Sequence, residues 1–342
     1  MSSETSTGPA DHASGDVGPA VERSGGRDGA NSPVPDDAGP GISARVERVD
    51  PRPERASGPP EPADAWGGLE EVVADEVLRT AHRLEAADVR VEPPVGHPAS
   101  LALCVVEAVW APRVRPTDVA GVVARVREHL AGAGGPGDPL DVLGLLASFT
   151  AAGDDEAWAA ALATRHRTGS TAGAPLKATA VREAADALVG VGVVTTADLL
   201  AVLRDHRAAA AEERARAASA PWPPVQPPGG PAAERWEAVR AAWCAAAGQS
   251  SGRSWHRLLL LAGAEEVVPD DDVRRFTSRL VRGLLTGGRP ARAGSRPGAL
   301  DAAALLEASA SVLGAPPREV DHVVWRSELH ADARRPGASR AG

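Results

Sequence analysis

Two short stretches of the chain combine residue types at a spacing that suits ligand binding or catalysis. The first is the turn Gly248–Gly252. It precedes an apolar segment, from Arg253 to about Leu261, that predicts a helix. A tight turn between two helices can direct backbone N–H groups at one spot, where they bind a phosphate oxygen with help from the second helix's dipole. Glycine suits such a turn because it accepts positive φ and allows close approach of the ligand. The turn therefore predicts either a phosphate-binding site or an ordinary corner between two helices.

The second stretch is VVPDDDVRRF, which predicts a helix that opens at Pro269 and Asp270. A carboxylate at a helix start caps free backbone N–H groups, and three consecutive aspartates leave open which one has a further role. Arg274 and Arg275 follow on the same helix and can contact phosphates. A block of acids in this region would instead repel a phosphate chain; it consists of Glu265, Glu266 and Asp270–Asp272.

The order of these parts resembles the helix-hairpin-helix DNA glycosylase superfamily, the group of endonuclease III and the adenine and alkyl-base glycosylases. In that family a glycine-rich hairpin, usually L-P-G-V-G-R, grips a DNA phosphate, and an aspartate further on opens the next helix and faces the damaged sugar. The resemblance implies that Asp270 is the catalytic aspartate, which stabilises positive charge on the sugar as the base leaves. It also implies that the hairpin residues contact duplex DNA; these are Gly248, Gln249, Ser250, Ser251, Gly252, Arg253 and Ser254.

Two further stretches carry the resemblance. SLALCVVEAVWAPRVRPTDVAGVVARV, residues 100–126, looks like the superfamily's early pair of helices, and LKATAVREAADAL looks like its helix before the hairpin. Lys177 opens the latter and is the only lysine of the chain, with a predicted role that is either structural or phosphate-facing. The chain also resembles uncharacterised actinobacterial proteins with G-Q-x-S-G-x-S-W hairpins and a closing D-H-x-x-W segment, here Asp321, His322 and Trp325.

Several departures from the family pattern favour a weak or silent site. Ser250 stands where the first hairpin glycine belongs, and it tolerates that backbone geometry less well. Lyase-capable members carry a Schiff-base lysine just after the hairpin, but here Ser254 follows Arg253, as in monofunctional members. Trp110 occupies the place of a polar residue that fills the gap left by a flipped base. A tryptophan within so apolar a helix predicts a core residue, and we expect the same of Trp243, Trp255 and Trp325.

Composition limits the possible functions. Of the formal net charge of −9, residues 1–65 carry −6, and the part from Ser251 onwards holds 14 arginines against 11 acids. That balance permits a phosphate-binding face without indicating a basic patch. The two cysteines lie in apolar patterns that predict buried thiols, and two cannot supply the four ligands of an iron–sulfur cluster. We expect no metal and no cofactor. The polar N-terminus and the lack of long apolar runs predict a cytoplasmic protein without membrane contact.

The periodicity along the chain predicts an all-α fold of about ten to twelve helices, with the helix-hairpin-helix glycosylase-like arrangement implied by the resemblance. Residues 1–64 are rich in Pro, Gly, Ser and acids, so we predict a disordered tail. The helical domain spans 65–332, with a proline-rich insertion at 220–231, and a frayed tail covers 333–342.

Two classes of function stay open. In the first, the chain is a DNA-associated protein that binds duplex phosphate through the hairpin. It is then either catalytically silent or weak, or a monofunctional base-excision glycosylase that uses Asp270. In the second, it is a helical scaffold for protein partners without DNA contact. The departures from the family pattern favour the silent or weak DNA-associated protein.

Overall fold

The computed structural model describes residues 68–112, 114–132, 141–218, 229–286 and 302–333, and within them it contains twelve helices and no strand beyond one isolated bridge between Arg167 and Leu176. The predicted all-α class is confirmed. The helices are α1 (Leu69–Glu85), α2 (Leu101–Trp110), α3 (Pro116–Gly132), α4 (Val142–Ala152), α5 (Asp155–Ala161), α6 (Lys177–Gly190), α7 (Thr196–Ala218), α8 (Pro231–Ala245), α9 (Arg253–Ala262), α10 (Asp271–Thr286), α11 (Ala302–Leu313) and α12 (Pro317–Ala333).

Some predicted segments lie outside the described residues. These are the tail 1–64, all but the end of the insertion 220–231, and all but the first residue of the tail 333–342. The insertion's last residue, Pro231, is the first residue of α8, and Ala333 is the last residue of α12.

Short polar side chains set the starts of several helices. Ser100 accepts a hydrogen bond from the backbone N of Leu103 (3.2 Å) at the start of α2, and Asp154 does the same for Ala157 (2.7 Å) at the start of α5. Each cap satisfies one backbone N–H that has no partner inside the helix. These caps explain why both helix starts could be predicted from residue types alone.

A first hydrophobic core is built around α2. Nine of the ten residues of α2 are buried, and the helix packs against α3, α4, α6 and α9. A helix that is apolar on nearly every side must be surrounded by other helices, so its predicted central position is confirmed. Trp110, Trp158, Trp243 and Trp255 fill this core and are each fully buried.

A second hydrophobic core joins α1 with the last three helices, α10, α11 and α12, which all pack against one another or against α1. The chain leaves the first core at the end of α9 and enters the second at the start of α10. The side chain of Val268 belongs to the first core, whereas that of Val267 belongs to the second. Asp270 follows directly, so it lies where the two cores meet.

Other properties of the chain can be checked on the described residues. None of their helices combines the length and the apolar character that crossing a bilayer requires. Cys104 is buried, Cys244 is half-buried, and both are free thiols. Burial raises the pKa of the Cys104 thiol to about 12, so this thiol stays protonated and unreactive at neutral pH.

Candidate functional site

The hairpin turn contains two glycines whose backbone lies in the left-handed region, Gly248 at φ 75° and Gly252 at φ 72°. Within the turn, the N–H of Gln249 donates to Ala246 O (3.0 Å) and that of Gly252 to Gln249 O (3.1 Å). Ser250 and Ser251 are exposed, and their N–H groups have no hydrogen-bond acceptor in the described part of the chain. The turn therefore presents two consecutive free amides just before the N-terminus of α9, which is the geometry that an anion requires.

Two of the turn residues are placed differently from the prediction. Gln249 is 3% exposed and its Nε2 donates to Ala247 O (3.1 Å). Ser254 is 4% exposed, and its hydroxyl accepts from Nε1 of Trp243 (3.0 Å). Both side chains are buried and therefore cannot contact DNA in this arrangement: Ser254 ties the turn to the preceding helix α8, and Gln249 bonds within the turn.

A loop with basic residues lies directly beside the turn. A Cβ atom on Gly248 would lie only 2.9 Å from Cβ of Thr168, so the turn and this loop touch. The loop is held in place by a hydrogen bond from Thr168 N to Pro175 O (2.9 Å). Arg165 and His166 precede Thr168 and are exposed. The contact therefore adds cationic side chains to the surface around the free amides.

The turn and Asp270 border one open groove of about 370 Å³. The spacing of these two parts predicts this arrangement, and the structure brings them together. The groove is lined by three arginines, three aspartates and two residues of the turn; these are Arg240, Arg253, Arg275, Asp270, Asp271, Asp272, Ser251 and Gly252.

Asp270 is held from two directions at the edge of this groove, and only 8% of the residue is exposed. One oxygen, Oδ1, accepts from the backbone N of Val273 (2.9 Å) and caps α10. The other, Oδ2, lies 2.5 Å from Nδ1 of His256. On the opposite edge of the His256 ring, Nε2 lies 3.0 Å from Oδ2 of Asp321. These three residues form the Asp–His–Asp triad, in which His256 and Asp321 are fully buried.

Burial and the neighbouring charges shift the pKa of each residue in the triad. Burial opposes the charged imidazolium, but the carboxylates of Asp321 and Asp270 outweigh it and raise the pKa of His256 to about 10. Burial would also raise the pKa of Asp270, yet the charge and hydrogen bond of His256 lower it below its usual value. Asp270 is therefore ionised at neutral pH. Burial raises the pKa of Asp321 above its usual value despite the nearby imidazolium.

The triad was not foreseen from the sequence. The position of His256 next to the hairpin predicts a side chain that faces either DNA or solvent. Both alternatives are wrong because the residue is fully buried, with its ring stacked on Trp325 at 5.5 Å and 13°. One signal was available: α9 has eight buried residues among ten, so a polar residue within it needs a partner. Nothing in the local sequence identifies that partner as Asp321, which lies on α12.

Two of the five acids of the block, Asp271 and Asp272, are paired with arginines. Asp271 accepts from Arg274 at 2.6 Å and lies 3.5 Å from Arg240, and Asp272 is paired with Arg275. Asp272 is 4% exposed, and burial together with the charge of Asp270 raises its pKa. The predicted repulsion of phosphate is thereby weakened, but Arg274 and Arg275, predicted to contact DNA, are also engaged in these pairs.

Lys177 lies away from the groove. Its residue is 4% exposed, and its Nζ donates to three carbonyls at the end of α2, those of Val109 (2.9 Å), Trp110 (3.0 Å) and Pro112 (2.9 Å). A cation at a helix C-terminus satisfies free carbonyls and complements the helix dipole. Of its two predicted roles the geometry favours the structural one, and a contact of Lys177 with DNA is excluded by burial.

Among the described residues, no group of three or more histidines, cysteines, aspartates or glutamates is arranged to hold a metal ion. The groove can instead accept an anion through the free amides and arginines. Asp270 supplies a fixed negative charge at its edge. Such a pair of features suits a phosphate backbone beside a centre on which positive charge develops.

Comparison with known proteins gives one match. A family described as a domain of unknown function (DUF8548) matches residues 75–221 and 230–329. The chain belongs to this family. The DUF8548 match runs through both cores and includes the hairpin turn and all three residues of the triad. No curated protein and no solved structure matches the chain.

Proposed function

We propose that this DUF8548 protein associates with duplex DNA and binds its phosphate backbone through the hairpin turn, with little or no catalytic activity. The observation that carries the proposal is the common groove of the turn and Asp270. Ser251, whose backbone amide is free, lines that groove, and the free amide of Ser250 precedes it in the turn. This combination of exposed amides and a helix N-terminus favours a phosphate oxygen as the ligand.

The charges around the groove are compatible with a phosphate chain. Asp270 is balanced by the imidazolium of His256, and the exposed ion pairs of Asp271 are worth little, so their arginines can exchange partners. Arg253 lines the groove directly after the turn. The exposed Arg165 adds a positive charge on the adjoining loop.

Weak or absent catalysis follows from the hydrogen bonds that Asp270 already makes. Both of its oxygens are occupied, one by Val273 N and the other by His256. A carboxylate that shares its charge with a buried imidazolium stabilises developing positive charge on a sugar less well than a free one. Trp110, at the place of the family's wedge residue, is fully buried and cannot fill the space of a flipped base.

Binding of a fluorescently labelled duplex, followed by anisotropy at low salt, tests the proposal. We expect an affinity that falls steeply as salt rises, and Arg253→Gln should weaken binding by roughly threefold to tenfold through the loss of one phosphate contact. Arg79→Gln is the matched control because it removes the same charge from an exposed position on α1, remote from the groove residues. Equal affinity of the two variants, or no duplex binding, would favour a scaffold that acts through protein partners.

A second candidate is a monofunctional DNA N-glycosylase, favoured by one observation. Asp270 lines the groove beside the turn and its pKa is lowered, so it is ionised at neutral pH. Release of free base from oligonucleotides with damaged or mismatched bases, lost in Asp270→Asn, would establish this activity. No strand cleavage by a lyase step is expected, since the only lysine is buried against α2.

A further inference from the structure

A second group of polar side chains lies on one face of α12, away from the residues that line the groove. Arg318, His322, Trp325 and Arg326 follow one another at positions i, i+4, i+7 and i+8, which share a helix face. This face packs against α9. The ring of Trp325 stacks on His256, and Nη2 of Arg318 donates to Leu260 O (3.1 Å).

The donors on this face are incompletely satisfied. The Nε atoms of Arg257, Arg318 and Arg326 are buried and have no hydrogen-bond partner within the described residues, and the same is true of Nδ1 of His322. A guanidinium Nε carries a hydrogen and cannot act as an acceptor. Buried donors without acceptors cost free energy, so these three Nε atoms, two on α12 and one on the adjoining α9, indicate a missing acceptor.

Carboxylates near the group are already shared with other cations. Glu107 accepts from Arg257 (2.7 Å) and also contacts His97 (2.9 Å), while Asp321 is paired with His256. The positive charge of Arg318 is partly offset by Glu265. The side chain of Arg326 has no ion pair or hydrogen bond to any residue that the structure describes, so its positive charge is not compensated.

The pKa shifts of His322 and Arg326 are consistent with nearby positive charge. Burial, and then the positive charges of Arg326, His256, Arg257 and Arg318, hold the pKa of His322 well below its usual range. Burial and the charge of Arg257 lower the pKa of Arg326 as well. In both cases burial is the larger cause, and repulsion between the cations adds to it.

We propose that Arg257, Arg318, His322 and Arg326 form a binding site for a small oxyanion of the phosphate type. Guanidinium groups bind such anions through two parallel hydrogen bonds. The side chain of Arg257 is 22% exposed, and Arg318 and Arg326 are half-buried, so part of each guanidinium side chain reaches solvent while its Nε is buried. The site does not share a residue with the groove and stands independently of the proposed function.

Calorimetric titration of the full chain with inorganic phosphate, at constant ionic strength set by chloride, tests this site. We expect saturable binding with a Kd of about 1 mM or tighter. Arg326→Gln should weaken it by about tenfold or more, as expected for a charged hydrogen bond. Arg79→Gln should leave it unchanged. Absence of saturable binding, or equal phosphate affinity in Arg326→Gln and the native chain, would overturn the proposal.

Thermal unfolding separates ligand binding from a purely structural role of Arg326. Without phosphate, Arg326→Gln should unfold at the same or a higher temperature, because it removes a half-buried charge that has no partner. A marked decrease in unfolding temperature would instead assign Arg326 a structural role.

Duplex titrations identify the source of the phosphate. If the site binds a backbone phosphate of DNA, Arg326→Gln should also weaken duplex binding. If it binds free phosphate, the duplex affinity of Arg326→Gln should equal that of the native chain.

Discussion

At the scale of single residues, the protein places a histidine between two buried carboxylates. Removing three ionisable groups from water is costly unless each finds a partner. Nδ1 of His256 is hydrogen-bonded to Asp270 at 2.5 Å, and its Nε2 forms an ion pair with Asp321 at 3.0 Å. The position of Asp270 at the groove therefore depends on a side chain that does not itself reach the groove.

The triad predicts a specific dependence of stability on pH. The pKa of His256 rises from an ordinary 6.5 to about 10 on folding, so the folded state binds more protons between these values. Its contribution to stability is complete below pH 6.5 and is lost as pH rises towards 10, with a slope of up to about 1.4 kcal/mol per pH unit. Urea unfolding at several pH values measures the slope.

A matched variant checks that this slope comes from the triad. Asp321→Asn removes one of the two carboxylates that raise the pKa of His256, so it should reduce the loss of stability between pH 7 and pH 9. The same loss in Asp321→Asn as in the native chain would rule out the triad as its source.

Residue types predicted part of the site and missed the rest for a physical reason. Asp270 was recognisable as a helix cap because capping is a local interaction, and its carboxylate does accept from Val273 N. The burial of His256 and its bond to Asp321 depend on how α12 packs against α9, which no local pattern encodes. Lys177 is similar, because its three carbonyl partners lie more than sixty residues earlier in the chain.

At the scale of secondary-structure elements, the turn is the part with the strictest backbone demands. Gly248 and Gly252 have almost the same positive φ, but their surroundings differ. A Cβ on Gly248 would collide with Thr168 at 2.9 Å, whereas one on Gly252 would meet only an Arg240 nitrogen at 3.6 Å. The turn and the basic loop are therefore coupled through Gly248.

The two glycines form a matched pair for mutation. We expect Gly252→Ala to destabilise the protein by about 1 kcal/mol, the cost of a left-handed alanine. Gly248→Ala should cost roughly 2–3 kcal/mol, since the contact with Thr168 adds overpacking. Denaturant unfolding compares them, and Thr168→Ala should restore part of the stability of Gly248→Ala. Equal losses in both variants would contradict the close contact of turn and loop.

Helix positions were predictable wherever a cap or an apolar stripe marked them. Gly263, a residue type that often ends helices, lies at the end of α9. Helix α4 begins at Val142, with Asp141 as its cap. Asp138 and Pro139, which also suit a helix start, lie outside the described residues. Local sequence signals thus predict where helices begin and end, whereas the packing of one helix against another depends on the whole chain.

At the scale of the whole molecule, the described helices form two hydrophobic cores, one from α2 to α9 and one from α1 with α10, α11 and α12. The groove lies where the chain passes from one to the other, between α9 and α10. The groove is thus made by residues that separate cores hold in place. This arrangement explains why a turn and a carboxylate some twenty residues apart in sequence meet at one site.

The most direct test of the account is an amide NMR titration of the full chain with a short duplex. Phosphate binding at the turn predicts that the backbone N–H signals of Ser250 and Ser251 show the largest shifts, since these two exposed amides have no acceptor among the described residues. The signals around Gly192, in an exposed turn after α6, should stay unchanged. Shifts that leave Ser250 and Ser251 unmoved while other regions respond would contradict the account.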